Sequence, residues 1–248
     1  MATELFGIDL SYANKITDYK KLLASTYGGR KISFAFLRIG YPGKVDTRFF
    51  EHYNALSGKV KLGVYFYSLA RSVEEARAEA RFVLDKIKGL KLEYPVVFDY
   101  EDKRVLSPKL SKGEYTAICS AFLAEIKAGG YYAMLYSNPS FLESYADKGV
   151  LLKNPLWLAH YTANGKQRQY GQQVWQFGTF RPGGAVGEVD GNIAYCDLAQ
   201  LIANAGQNVP RRCMLTAQKT VYAWERADEI KRLRELGCTV GAKKSQQR

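Results

Sequence analysis

Two carboxylates, Asp99 and Glu101, stand two residues apart at the end of the apolar run Tyr94–Tyr100 (YPVVFDY). In a strand, residues i and i+2 point to the same side, roughly 6–7 Å apart along the chain. Two like charges on one partly desolvated face repel, and that repulsion raises one pKa. A carboxyl kept protonated near neutral pH is a general acid, and an ionised neighbour stabilises developing positive charge. The next acid, Asp102, points the other way on this reading and is expected to be exposed.

Other acids and aromatics fall at the ends of other apolar runs. Asp9 closes the first run and Asp190 lies in the last, Gly187–Tyr195. Tyr65, Tyr67, Tyr136, Trp157, Tyr161 and Trp175 end runs in between. Taken singly, each has a plainer reading: an Asp as a cap or turn former, an aromatic as core. Cys119, Cys196, Cys213 and Cys238 form no CxxC, and His52 and His160 are the only histidines. That spacing makes no metal-ligand cluster. Neither a metal nor a cofactor is expected, and the cysteines read as reduced thiols.

These residues need elements to position them, and strands and helices alternate through residue 206. Strands are expected at Glu4–Leu10, Ile32–Ile39, Lys61–Ser68, Tyr94–Tyr100, Tyr131–Tyr136, Leu156–His160, Gln173–Phe177 and Gly187–Tyr195, the last broken at Gly191-Asn192. Helices are expected at Ser72–Lys88 and Ser111–Ala128, each with a capping box (Ser72 with Glu75, Ser111 with Glu114), and at Cys196–Ala205. The apolar runs are continuous rather than alternating, as in parallel strands buried on both faces. Repeated βα units without a GxGxxG after the first strand favour an α/β barrel over a dinucleotide-binding sheet. In such a barrel the working face lies at the C-terminal ends of the strands.

The chain has 248 residues, 47% of them hydrophobic, enough for one large core. Its net charge is +12, and 10 Lys and Arg stand against 4 Asp and Glu from residue 207 onward. Basic balance speeds encounter with polyanions. No basic helix or ribonucleoprotein motif points to nucleic acid, and no apolar run is long enough for membrane insertion. The N-terminus lacks the pattern of a secretory signal. Residues 207–213 read as a linker. Residues 214–248 read as a small basic C-terminal appendage, with a strand at Met214–Tyr222 and a helix at Trp224–Leu236.

Seven segments, in order, resemble the family 25 glycoside hydrolases, the lysozyme-type muramidases common among phage endolysins. They are Phe6–Ser11 (FGIDLS), Gly63–Ser68 (GVYFYS), Val96–Glu101 (VVFDYE), Leu135–Asn138 (LYSN), Leu156–Ala159 (LWLA), Val174–Phe177 (VWQF) and Val189–Asn192 (VDGN). The resemblance implies a flattened, irregular, TIM-like (β/α) barrel. It also implies hydrolysis of the β-1,4 bond between N-acetylmuramic acid and N-acetylglucosamine in bacterial peptidoglycan. Carried over, Glu101 is the general acid and base, Asp99 the assisting carboxylate, and Asp9 and Asp190 complete an acidic floor. Tyr67, Tyr136, Trp157, Tyr161 and Gln176 line sugar subsites, and Arg38 sits beneath the carboxylates and holds them ionised. Phe98 and Tyr100 flank the pair more bulkily than expected, which puts the subsite floor in question. The basic tail resembles the start of a bacterial Src-homology-3-like module and would meet anionic wall polymers. An endolysin without a signal is made in the host cytoplasm and reaches the wall after holin action or lysis.

Direct-nucleophile retaining carboxylates sit about 5–5.5 Å apart and inverting ones about 6.5–9.5 Å. Both Asp99 and Glu101 approach from one strand, so flanking opposite faces of a sugar is awkward for them. Attack by the substrate's own 2-acetamido oxygen suits them better and predicts retention. Two rival readings are a non-catalytic carbohydrate-binding barrel, against which Glu101 speaks, and a chitinase-like hydrolase. The latter carries a longer acidic strand motif, and the upstream residues here are Tyr94, Pro95 and Val96.

Overall fold

The computed structural model describes residues 4–106, 110–162 and 168–209. The chain opens with β1 (Leu5–Leu10), the short β2 (Lys15–Ile16) and helix α1 (Tyr19–Ala24). A hairpin of β3 (Thr26–Tyr27) and the long β4 (Arg30–Tyr41) follows, then β5 (Lys44–Val45) and α2 (Phe49–Leu56). Next come β6 (Lys61–Tyr67), α3 (Val73–Lys86), β7 (Val96–Asp99), α4 (Lys112–Ala128) and β8 (Ala133–Ser137). Helices α5 (Pro139–Ser144) and α6 (Lys148–Leu151) lead to β9 (Leu156–Ala159). The last elements are β10 (Val174–Phe180), β11 (Ala185–Val186), β12 (Val189–Ala194) and α7 (Leu198–Asn204).

Eight strands close into a barrel in the order β1-β12-β10-β9-β8-β7-β6-β4, with β4 pairing back to β1. This is the expected α/β barrel, irregular in one respect. β12 runs antiparallel to both its neighbours, β1 and β10, whereas only parallel strands were expected. Residues 181–188 between β10 and β12 are too few for a helical crossover, so the chain turns straight back. β12 is also continuous through Gly191 and Asn192, which pair with β1 and β10; the expected break is absent.

Side chains sort into two apolar layers. Inside the barrel lie Phe34, Phe36, Tyr94, Val97, Met134 and Trp157. Phe34 stacks on Tyr94 at 4.7 Å and Phe36 on Trp157 at 4.4 Å. Gly7 makes this filling possible, because a Cβ there would lie 2.4 Å from the Phe34 ring. Outside, the other faces of the strands pack against the helices, with Phe66, Phe98, Tyr100 and Phe122 in this layer. Phe98 stacks on Phe122 at 4.3 Å, and the Tyr100 hydroxyl donates to the Ala70 carbonyl. Both bulky neighbours of Asp99 therefore face the helices, and the subsite floor is not theirs.

Ser111 and Glu114 form the expected capping box at α4. At α3, Ser72 caps as expected, but the Glu75 carboxylate accepts from the Arg71 N–H instead of completing a box. The chain divides after Val209 into two units. Residues 207–209, expected as the start of a linker, fall within the first unit. Asn208 is buried, its amide N–H donates to Gly130, and its side chain accepts from Tyr132 N and donates to the Tyr94 carbonyl. Cys213, Cys238, Met214–Tyr222 and Trp224–Leu236 lie outside the described residues. Among the described residues, no helix is long and apolar enough to cross a membrane.

Candidate active site

The parallel strands all end on one side of the barrel, and a cavity of about 220 Å³ opens there. Its lining is Asp9, Arg38, Tyr65, Tyr67, Asp99, Glu101, Tyr136, Trp157, Tyr161, Gln176 and Asp190. All ten residues singled out from the sequence for the site meet in it, together with Tyr65. Strand register explains the gathering. Asp99 is level with Tyr67 on β6 and with Tyr136 on β8, and Tyr136 is level with Trp157 on β9. Neighbours at one level point to the same side of a parallel sheet. Asp190 arrives by a different route: its strand is reversed, so its start lies beside the end of β1, where Asp190 pairs with Asp9. Glu101 lies just past the end of β7.

A hydrogen-bond relay fixes the floor. Asp9 Oδ2 accepts from Gln176 Nε2 and Asn192 Nδ2, both at 2.9 Å. Gln176 Oε1 accepts from the hydroxyls of Tyr136 and Tyr161, both at 2.8 Å. Asn192 Oδ1 accepts from the Trp157 indole N–H at 2.8 Å. Each amide thus takes hydroxyl or indole donors on its oxygen and turns its NH2 onto Asp9. Trp157 is 1% exposed, so it touches the cavity as floor and not as a free stacking wall.

Burial dominates the ionisation of the acids. Asp9 is pushed up to about 7, first by burial and then by Asp190. Asp99 is pushed well above the usual carboxylate range by burial, then by Glu101 and Asp9. Glu101 is raised by burial, against the pull of an amide hydrogen bond from Asn138. Asp190 is raised by burial. Asp99 Oδ1 is buried and has no hydrogen-bond partner among the described residues.

Two expectations about charge are corrected. Arg38 pairs with Asp46, its Nε 2.7 Å from Oδ2. It lowers Asp99, but burial and the neighbouring acids outweigh it, so Arg38 tempers the upward shift and does not by itself set the charge of the carboxylates. Asp102 is buried, not exposed. It accepts from the Tyr67 hydroxyl at 2.7 Å and from Arg104, which holds its carboxyl below the usual range.

The sequence reading missed Asn138 and Asn192 as site residues and named Tyr65 only among the aromatics at strand ends. Asn138 Oδ1 caps α5 by accepting from Phe141 N at 3.0 Å, which turns its NH2 toward Glu101. Asn138 and Asn192 each stand in a quoted motif, so their signal was present. Tyr65 follows from its place two residues before Tyr67. Among the described residues, no group of His, Cys, Asp and Glu has the arrangement to hold a metal ion.

The sequence profile of the glycosyl hydrolases family 25 matches residues 8–181. The chain belongs to that family. No curated protein sequence matches it. Among solved structures, it is similar to the modular autolysin LytC from Streptococcus pneumoniae in complex with a synthetic peptidoglycan ligand, with 25% identity and a TM-score of 0.68. That match covers 77% of this chain and 47% of the autolysin, so the chain corresponds to about half of that protein's length. It shares its fold with the bacterial lysozyme from Streptomyces coelicolor, at 23% identity and TM-score 0.65, covering 84% of this chain and 100% of that one. The catalytic domain of endolysin ply40 from bacteriophage P40 of Listeria monocytogenes has the same fold, at 20% identity and TM-score 0.66, covering 82% and 98%.

Proposed function

We propose that this family 25 protein is a muramidase. It cleaves the β-1,4 bond between N-acetylmuramic acid and N-acetylglucosamine in bacterial peptidoglycan, in the course of wall lysis. The carrying observation is the division of labour inside one cavity. Glu101 is raised yet partly open, and an amide orients it. Asp99 is buried with a free acceptor oxygen. In this reading Glu101 protonates the leaving glycosidic oxygen and later takes a proton from water. The unpartnered Asp99 Oδ1 accepts the acetamido N–H, so that the acetamido oxygen attacks C1 and an oxazoline forms with retention. The Gln176–Asn192 relay holds Asp9 beneath the reacting sugar. Likeness to an autolysin bound to a synthetic peptidoglycan ligand supports the substrate class. Endolysin and lysozyme neighbours support action on the wall after release from the cell that makes it.

A second reading is favoured by the topology. β7 and β12 stand four places apart in the eight-strand ring, so Asp190 faces Glu101 across the cavity. Asp190 could then activate water on the far side of the sugar and give inversion. Proton NMR of the first product separates the two, the β-anomer meaning retention and the α-anomer inversion.

Glu101→Gln is expected to abolish turbidity loss on purified peptidoglycan while keeping fold and wall binding. Asp99→Asn should lower kcat by about 10²-fold or more through lost electrostatic stabilisation. Near-normal lysis by Glu101→Gln would reject the assignment. Muramic acid at the new reducing ends supports it, and glucosamine there would reject it.

A further inference from the structure

The rim of the cavity carries an arrangement that the acids do not use. Tyr12 is 56% exposed and Tyr41 36%, yet both rings lie against Arg38. The guanidinium carbon is 4.5 Å from the centre of the Tyr12 ring and 5.9 Å from that of Tyr41. Arg38 lines the cavity, so the two rings continue its wall outward.

This surface is held rigid from beneath. Buried Asp46 accepts from Arg38 Nε at 2.7 Å and from the Tyr12 N–H at 3.0 Å on one oxygen, and from the Arg48 N–H at 2.9 Å on the other. The turn carrying Tyr12 is closed by Asn14 N donating to Ser11 O at 3.0 Å and by Ser11 N donating to Asn14 Oδ1 at 2.8 Å. His52 Nε2 stands 3.1 Å from the Ser11 carbonyl. A surface ordered in advance binds without the entropy cost of ordering it.

We propose that Tyr12 and Tyr41 form a saccharide platform, an extra subsite that takes one pyranose ring of the glycan strand. An exposed aromatic face suits the apolar C–H face of a sugar, and the guanidinium edge suits its hydroxyls. Arg38 is already neutralised by Asp46, so the platform favours a neutral ring over an anionic group. Barrel order gives the direction of the strand. β4, which ends in Tyr41, stands opposite β9, beyond which Tyr161 is 63% exposed. The acids come from β7 and β12 on the crossing diameter. A glycan laid from the Tyr12–Tyr41 platform to Tyr161 therefore passes between Glu101 and Asp190. The platform rests on the glycosidase reading above.

The test uses peptide-free glycan strands of graded length, with initial rates for the wild-type chain, Tyr12→Ala, Tyr41→Ala and Tyr12→Phe. On long strands each alanine variant should raise KM on the order of tenfold with kcat within about twofold. Tyr12→Phe should stay near wild type, and on the shortest strand cleaved the differences should vanish. Unchanged KM in both alanine variants overturns the platform. So does an equal loss of kcat at every length, which would make Tyr12 a mere support for Arg38. If the wild-type chain cleaves no strand, the glycosidase reading has failed and calorimetry with the same strands decides the platform. Binding that Tyr12→Ala weakens sustains it, and absence of binding rejects it.

Discussion

Asp9 and Glu79 are both buried carboxylates lifted to about 7, in each case chiefly by burial. Glu79 lies outside the cavity. Its carboxylate accepts from Ser68 Oγ at 2.5 Å and from Leu69 N at 3.2 Å, just past Tyr67. Because its folded value exceeds the ordinary 4.5, the folded chain binds this proton more tightly than the unfolded chain. That contribution to stability is whole below pH about 4.5 and is lost as pH rises through about 7. Glu79→Gln mimics the protonated form. Relative to wild type, its melting temperature should rise by roughly 5 °C or more between pH 4.5 and 8. A difference that stays flat with pH, or falls, would show that Glu79 titrates near its ordinary value. Within the site itself, motif and spacing were enough to name ten lining residues. They were not enough to show that Asp102 is buried, because Tyr67, 35 residues away in sequence, meets it only after the β6 and β7 ends align.

At the scale of elements, close approach of β1 and β4 depends on one missing methyl group. The Phe34 ring occupies the space above Gly7, and a well-packed interior resists added volume. Gly7→Ala should cost about 1–3 kcal/mol, read from the denaturant midpoint. Gly113 makes the opposite case: it lies in the first turn of α4, and a Cβ added there would come no nearer than 3.8 Å to Ser111 Oγ. Gly113→Ala should stabilise by about 0.5–1 kcal/mol through helix propensity. Equal effects at the two positions would contradict this packing. Helix α4 was legible because its capping box, Ser111 with Glu114, is local. The reversal of β12 was not, because Val-Asp-Gly-Asn has the same local character in either direction.

At the scale of the whole molecule, Asn208 ties the end of the chain's first unit to the strand entries of the barrel. Its side chain satisfies Tyr132 N and the Tyr94 carbonyl, just before β8 and β7. Asn208→Ala leaves both without those partners and should lower stability by about 2–4 kcal/mol in denaturant unfolding. A loss under about 0.5 kcal/mol, the range of ordinary surface substitutions, would mean that water replaces the amide. Residues 207–213 looked like a linker because Asn208 and Pro210 are turn-forming types. The amide of Asn208 finds its partners more than 70 residues away, which no local pattern carries.

The sequence by itself determined the barrel class, the helix boundaries near Ser72 and Ser111, and the set of side chains that meet in the cavity. Those follow from apolar runs, caps and motif order, and each is a property of neighbouring residues. Tertiary structure alone decided how those side chains are ionised, paired and aimed. Closure of β4 onto β1 buries the acids together and raises them. The reversed β12 sets Asp190 against Asp9, and strand register turns two amides onto one carboxylate. Desolvation and cross-strand pairing depend on which residues lie at one level around the ring, and that is settled only when the ring closes.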